Sequence, residues 1–234
     1  MAKPEIKKTS LLLLNGGVGQ RTELDHPKQF FQVGGHPIMA YAIIAAFKLP
    51  AIKEIIINAP KGYEERTKEI MNNYVSNLPF KIVPGGRSRQ SSARKLAEAA
   101  QYDQVLVHET ARPVIAEATY NDLLMHEEDN VGYFVDIPFS MCRLDPDTNT
   151  LSKNVRRDRV FNIQLPQKFN RTTLVTAHKY AKNKKKKFTE DAVLVHKMTG
   201  AIVHALPGDH RNIKVTTQKD LVLVTQIMKK DSEN

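Results

Sequence analysis

Short, uninterrupted apolar runs alternate along this chain with longer stretches whose apolar positions recur at helical intervals. Residues 11–14 are consecutive leucines, 54–58 read EIIIN and 80–83 read FKIV, and 104–108 and 131–135 are again short and apolar. Runs of this length, bounded by polar turns, predict strands buried on both faces. Between them, residues 38–49 carry Ile38, Tyr41, Ile44 and Phe47 at helical spacing, with Pro37 placed to open the helix. Residues 63–74, 91–100 and 117–125 are predicted helices by the same reading. The alternation predicts an α/β protein with a mostly parallel sheet.

From 138 to about 159 the pattern breaks into polar, turn-rich sequence containing LDPDTNTLSK. This segment is read as a hairpin-like arm projecting from the sheet, of the kind that reaches a neighbour in an oligomer. The α/β pattern then resumes with predicted helices at 171–182 and 192–198 and a strand at 202–206. Thr217 and Asp220 form a capping-box pattern ahead of a last helix at 218–229. Repeats and long biased linkers are absent from the sequence, so one domain is expected over its 234 residues.

Composition narrows the function classes. With 41% hydrophobic residues and no apolar run near membrane-spanning length, the chain reads as soluble and globular. The start, MAKPEIKKTSLLLL, imitates a signal peptide, but its apolar run is too short, and a cytoplasmic location is expected. The single cysteine, Cys142, argues against a disulfide framework or a multi-cysteine metal site, and the histidines show no HExxH spacing. A net charge of +10 raises nucleic acid as a partner. Part of that excess, however, lies in Lys7-Lys8, the 184–187 run and Lys229-Lys230, and no aromatic stacking motif accompanies it. Nucleic acid is therefore not the expected partner.

The candidate chemistry sits in four loops that follow strands: NGGVGQR, PGGRSRQSS, HETARP and HRNIK. In open parallel sheets such loops converge on ligands at the carboxyl ends of the strands. The first loop is neither a dinucleotide fingerprint, since Thr22 replaces the third glycine, nor a Walker A loop. Exposed backbone N–H groups with Arg21 and Lys28 close behind nevertheless suit a polyphosphate. Glu109 offers oxygen for Mg2+, and Arg112 a guanidinium for an anionic substrate. Singly, these features are equally a tight turn, a capped helix start, a surface ion pair and a solvated Lys214. Their convergence is what favours a nucleotide site.

NGGVGQR with PKQ, the Gly85-to-Ser92 pattern GGxxRxxS, HETARP, LPQKF, TED-A and NIKVTT followed by DL occur in this order over nearly the whole chain. Together they resemble the cytidylyltransferases of sugar-alcohol phosphates, the group acting on 2-C-methyl-D-erythritol 4-phosphate and ribitol 5-phosphate. The resemblance implies a Rossmann-like nucleotidyltransferase domain over 1–234, with 138–160 as a projecting β-arm that builds a homodimer. It implies CTP as substrate, Mg2+, and a polyol phosphate as acceptor. By position, Asn15, Gly16, Gly17, Val18 and Gly19 would wrap the nucleotide, while Gly85, Gly86 and Ser92 would recognise cytosine. Arg21, Lys28 and Lys214 would be the catalytic cations, and Glu109 the metal ligand. Arg112, Thr189 and Arg157 would meet the acceptor, the last across the dimer, with Arg159 a close competitor.

The chain also departs from the family pattern. Asn15 stands where alanine is usual, Glu109 where aspartate is usual, and Leu165 where LPQ is usually TPQ. The carboxylates of Thr189-Glu190-Asp191 are in altered order, and the family's aspartate-threonine-x-lysine is not recognisable in PFSMCRLD. Gly16-Gly17 resembles the ribitol-phosphate branch, whereas Ala111-Arg112-Pro113 resembles the methylerythritol branch, which is the favoured one. A nucleotide-binding protein of the same fold with impaired catalysis is the alternative.

Overall fold

The computed structural model describes residues 7–17 and 26–232, so Val18, Gly19 and Arg21 lie outside the described residues. After β1 (Thr9–Leu14), a 3-10 turn at Lys28–Phe30 and a small hairpin of β2 (Gln32–Val33) and β3 (His36–Pro37) lead into α1 (Ile38–Phe47). Strands and helices then alternate: β4 (Ile52–Ala59), α2 (Glu64–Tyr74), β5 (Phe80–Pro84), α3 (Arg89–Ala99), β6 (Gln104–Glu109), α4 (Glu117–Met125) and β7 (Val131–Asp136). A hairpin of β8 (Met141–Leu144) and β9 (Leu151–Val155) precedes β10 (Phe161–Asn170), α5 (Arg171–Asn183), α6 (Asp191–Thr199), β11 (His204–Pro207) and α7 (Gln218–Ser232).

Among the described residues, seven strands form one sheet in the order β11, β7, β10, β6, β1, β4, β5. All neighbours in it are parallel except β10, which runs antiparallel between β6 and β7. The sheet is thus mostly parallel, as the alternation predicts. The leucine run of β1 lies inside the sheet, between β6 and β4, and alternates between its two faces. Leu11 and Leu13 pack with α1, α2 and α4, whereas Leu12 and Leu14 pack with α3, α5 and α6. Burial on both faces is why the run carries no polar alternation.

β10 is the element that the patterning does not reveal. Its sequence FNIQLPQKFN contains a proline and three polar residues that are nonetheless buried, Gln164, Gln167 and Lys168. Gln164 exchanges hydrogen bonds with the Asp209 backbone, Gln167 Nε2 donates to the Gln164 carbonyl, and Lys168 Nζ donates to the His126 carbonyl at 2.6 Å. Pro166 falls where the pairing with β7 shifts register, between Gln164 and Gln167, which is where a strand tolerates it.

Within the segment read as an arm, β8 and β9 form a separate two-stranded antiparallel sheet. Asp145 shapes its turn by accepting from the Asp147 and Thr148 backbone N–H groups, and Asn149 takes the left-handed conformation that follows. The predicted capping box of α7 is present. The Thr217 N–H donates to Asp220, whose own N–H donates to the Thr217 hydroxyl. No helix among the described residues is long and apolar enough to cross a membrane.

Candidate active site

The parallel strands deliver their loops to one edge of the sheet. There, Gly16, Gly17, Lys28, Gly86, Arg89, Glu109 and Lys214 line a cleft of about 490 Å³. A second cavity of about 570 Å³ lies between the 113–116 loop and α7, but its arginine, Arg211, is bound by Asp231 at 2.6 Å. The first cleft collects the glycine loops and the cations, and the chemistry is assigned there.

Its floor is held by polar groups sealed from solvent. The Asn15 backbone N–H donates to Asn58 Oδ1 at 3.0 Å, and the Thr110 hydroxyl donates to Asn15 Oδ1 at 2.7 Å. Gln29 Nε2 donates to the Asn15 and Gly17 carbonyls, which ties the first loop to the 3-10 turn bearing Lys28. Asn15 is completely buried, so its side chain supports the loop and does not face the cleft. Asn58 explains the first glycine of the loop. A Cβ on Gly16 would stand 2.3 Å from Asn58 Nδ2. Gly16→Ala is therefore expected to destabilise the protein by about 1–3 kcal/mol, whereas in a chain already carrying Asn58→Ala, which itself loses the acceptor of the Asn15 N–H, the same substitution should cost little further. Thermal melts of the single and double variants check this, and an unshifted midpoint for Gly16→Ala would contradict it.

The second loop is built by its serines. Ser88 caps α3 and forms a reciprocal box with Ser91. The Ser92 hydroxyl accepts from the Gly86 N–H at 2.9 Å, so Ser92 shapes the glycine turn from beneath. A Cβ on Gly86 would fall 2.1 Å from Ser91 Oγ and 2.6 Å from its backbone, so only glycine fits. Gly85 packs against the Ala59 carbonyl at the end of β4.

Charge is concentrated on Glu109. Its Oε1 accepts from Lys214 Nζ at 2.8 Å and from Arg89 Nε at 3.4 Å, while Arg112 Nε stands 3.6 Å from Oε2. Burial alone would raise this carboxyl, but Lys214, Arg89 and Arg112 outweigh it and hold it down at about 2. Arg112 donates to the Asn212 carbonyl at 2.8 Å, which fixes it to the loop carrying Lys214. Burial lowers its pKa, although Glu109 acts in the other direction. Lys28 is buried in the cleft wall and donates from Nζ to the Val215 carbonyl.

Beneath Glu109, His108 is fully buried, edge-on to Tyr120 with ring centroids 5.5 Å apart. Burial drives its imidazole from the ordinary 6.5 down to about 3. The unfolded chain takes that proton first, so the contribution of His108 to stability is complete above pH 6.5 and is lost as pH falls toward about 3. Glu109 has the same sign, complete above 4.5 and lost toward about 2. The melting temperature should therefore fall in two stages on acidification. His108→Asn should remove the upper one, and an unchanged limb starting near pH 6.5 in that variant would contradict the assignment.

The structure thus brings together Gly16, Gly17, Lys28, Gly86, Glu109 and Lys214 at the cleft and places Asn15, Gly85, Ser92 and Arg112 directly behind it. Two expected acceptor residues do not line the cleft, although Thr189 adjoins Glu190, which pairs with the cleft-lining Arg89. Thr189 is exposed just before α6, and Arg157 is exposed at the foot of the hairpin, donating to the Pro138 carbonyl at 3.0 Å. The sequence reading gives Gln29, Asn58 and Asp191 no place in the site, and offers Arg89 only as one of two guanidinium groups in the PGGRSRQSS loop, with no role. The PKQ and TED-A motifs contain Gln29 and Asp191, and GGxxRxxS contains Arg89. Asn58 has only its position, a polar residue ending an isoleucine run.

A metal ion needs hard oxygen here. No cluster of His, Cys, Asp or Glu able to hold one occurs among the described residues. Glu109 Oε2, however, is buried without a hydrogen-bond partner. Mg2+ commonly takes one carboxylate oxygen together with phosphate and water oxygens, so the residue fits a low protein ligand count.

Fold and cleft together define an α/β protein of the nucleotidyltransferase type. The family model described as "IspD: 2-C-methyl-D-erythritol 4-phosphate cytidylyltransferase" matches residues 10–230, and the chain belongs to this family. A relative named 2-C-methyl-D-erythritol 4-phosphate cytidylyltransferase, from Clostridium botulinum (strain 657 / Type Ba4), is 30% identical over 235 residues, covering 96% of this chain and 99% of the relative. The solved structure of the protein with that name from Thermus thermophilus is 27% identical with a TM-score of 0.75, over 95% of this chain and 99% of that one. The 4-diphosphocytidyl-2C-methyl-D-erythritol synthase structure from Anaerococcus prevotii has a TM-score of 0.82 over 95% of this chain and 96% of that one. At 23% identity it speaks for the fold alone.

Proposed function

We propose that this protein transfers the cytidylyl group of CTP to 2-C-methyl-D-erythritol 4-phosphate and releases pyrophosphate. The observation that carries this reading is the cleft itself. The backbone of Gly16, Gly17 and Gly86 faces Lys28, Arg89 and Lys214, with Glu109 between the cations. Family membership narrows the nucleotide and the acceptor.

An oxygen of the acceptor phosphate attacks the α-phosphorus of CTP, forming one P–O bond. The bond from that phosphorus to the bridging oxygen breaks, and its electron pair leaves with pyrophosphate. The attacking oxygen is already anionic, so no general base is required. Alignment and neutralisation of the charge building on pyrophosphate are what remain. Lys28 and Lys214 supply compact charge at the cleft, and the glycine loops supply backbone N–H donors. Glu109 would hold Mg2+ through Oε2, and the metal, when bound, supplies further charge to the phosphate oxygens. Arg21 belongs to the same reading as a third phosphate-binding cation.

Arg157 enters the reading through a homodimer. The hairpin and its flanks expose Phe139, Leu144 and Leu151, the first at 73%. A second copy covering these side chains would bring Arg157 to the neighbouring acceptor site. Pyrophosphate release tests the assignment with CTP, ATP, GTP and UTP, each against methylerythritol phosphate and ribitol phosphate. Release with CTP and methylerythritol phosphate is expected. Release with ribitol phosphate alone would reassign the acceptor, and CTP binding without release from any pair would mark a protein that binds but does not turn over.

A further inference from the structure

The charge cluster of the cleft extends deeper than the residues that line it. Arg89, the first residue of α3, lines the cleft and faces carboxylates from two other segments. Glu109 lies 3.4 Å away, Glu190 3.3 Å and Asp191 3.0 Å. Glu109 borders the cleft, whereas Asp191 is 1% exposed and is sealed from any ligand. On its far side, Asp191 Oδ1 lies 3.3 Å from Nε2 of His178 in α5, which is also 1% exposed. Neither Asp191 oxygen has an aligned hydrogen bond, so the attraction to Arg89 is carried by charge. Burial would raise the Asp191 carboxyl, but Arg89 and His178 outweigh it and keep it below the usual aspartate range.

A line of contacts therefore runs from the core between α5 and α6 to the cleft wall: His178, Asp191, Arg89, Glu109. A free arginine must be ordered whenever it meets a ligand, and that ordering opposes binding and alignment. Here a carboxylate that no ligand can displace orders it during folding. We propose that Asp191 is a positioning residue for the transfer reaction, holding the Arg89 guanidinium against the cleft wall so that a fixed edge meets the polyphosphate. His178 braces Asp191 from behind. Glu109 is held through the same guanidinium, which links the metal-binding carboxylate to a residue outside the cleft. This inference rests on the cytidylyl-transfer reading.

The alternative is that the ion pair only staples α6 to α3, and a double-mutant cycle separates the two. Asp191→Asn, Arg89→Met and the double variant are assayed with CTP and methylerythritol phosphate, with circular dichroism and a thermal melt as fold controls. A fixed guanidinium counts most when charge builds on the leaving group. Asp191→Asn should therefore lower kcat at least about tenfold and change the KM for CTP less. In the Arg89→Met background the same substitution should cost almost nothing further. His178→Gln provides a second cycle should Asp191→Asn fail to fold, with a smaller fall in kcat that also vanishes in the Arg89→Met background. Unchanged kcat for folded Asp191→Asn, or multiplicative losses in both cycles, would overturn the inference. Wild-type protein that makes no product would instead overturn the reading on which it rests.

Discussion

Lys28→Ala is expected to lower turnover by about 10²–10³-fold, the loss typical of one preorganised group at a developing charge. The side chain is only 8% exposed, and its ammonium is directed by donation to the Val215 carbonyl at the wall of the cleft. Its backbone is equally constrained. The 3-10 turn Lys28–Phe30 is closed by the Phe30 and Phe31 N–H groups, and Gln29 anchors it to the Asn15 and Gly17 carbonyls. Reorganisation during reaction is thereby avoided, which is what makes a fixed charge effective. Lys28→Arg should recover only part of the rate, since a planar fork does not replace a compact ammonium. Steady-state pyrophosphate release checks both variants, and near-wild-type turnover of Lys28→Ala would remove the residue from the catalytic set.

Glu109→Ala should act on stability and on turnover together. The carboxylate is 8% exposed and compensates Lys214, Arg89 and Arg112. Removing one partner of a buried ion pair costs about 3–5 kcal/mol, and the lower end applies because Lys214 is 36% exposed and solvent screens it. Glu109→Gln keeps the volume but not the charge, and should lose most of the same stability and nearly all turnover. Glu109→Asp keeps the charge and should retain the fold with reduced activity. Urea denaturation midpoints alongside kcat for the three variants check this order. An alanine variant as stable as wild type would show that the three cations do not depend on Glu109.

The parts of the fold that are legible in the sequence share one physical feature, burial on both faces of a parallel strand. The leucines of β1 and isoleucines of β4 have no polar obligations and read directly as strands. β10 obscures itself because its buried Gln164 and Lys168 are satisfied by Asp209 and His126, partners that only the folded chain brings near. The site divides in the same way. Lys28, Glu109 and Lys214 follow strands or turns in recognisable local patterns, and they do converge. Arg89 and Asp191 lie far apart in the chain, and their pairing depends on α5, which packs against both α3 and α6. Asn58 carries no motif, and its role follows from the Asn15 N–H that it accepts and from the Gly16 backbone pressed against it. The loop pattern presents Asn15 as a ligand contact, but the fold turns its amide toward Thr110.

Cytidylyl transfer in this cleft requires that the α-phosphorus of CTP pass to the acceptor phosphate. Incubation with CTP labelled at that phosphorus and 2-C-methyl-D-erythritol 4-phosphate, followed by separation of the products, tests it directly. The label should leave CTP for a cytidine diphosphate ester of the acceptor, with unlabelled pyrophosphate formed in equal amount. Label remaining in CTP, or appearing only in CMP, would contradict it.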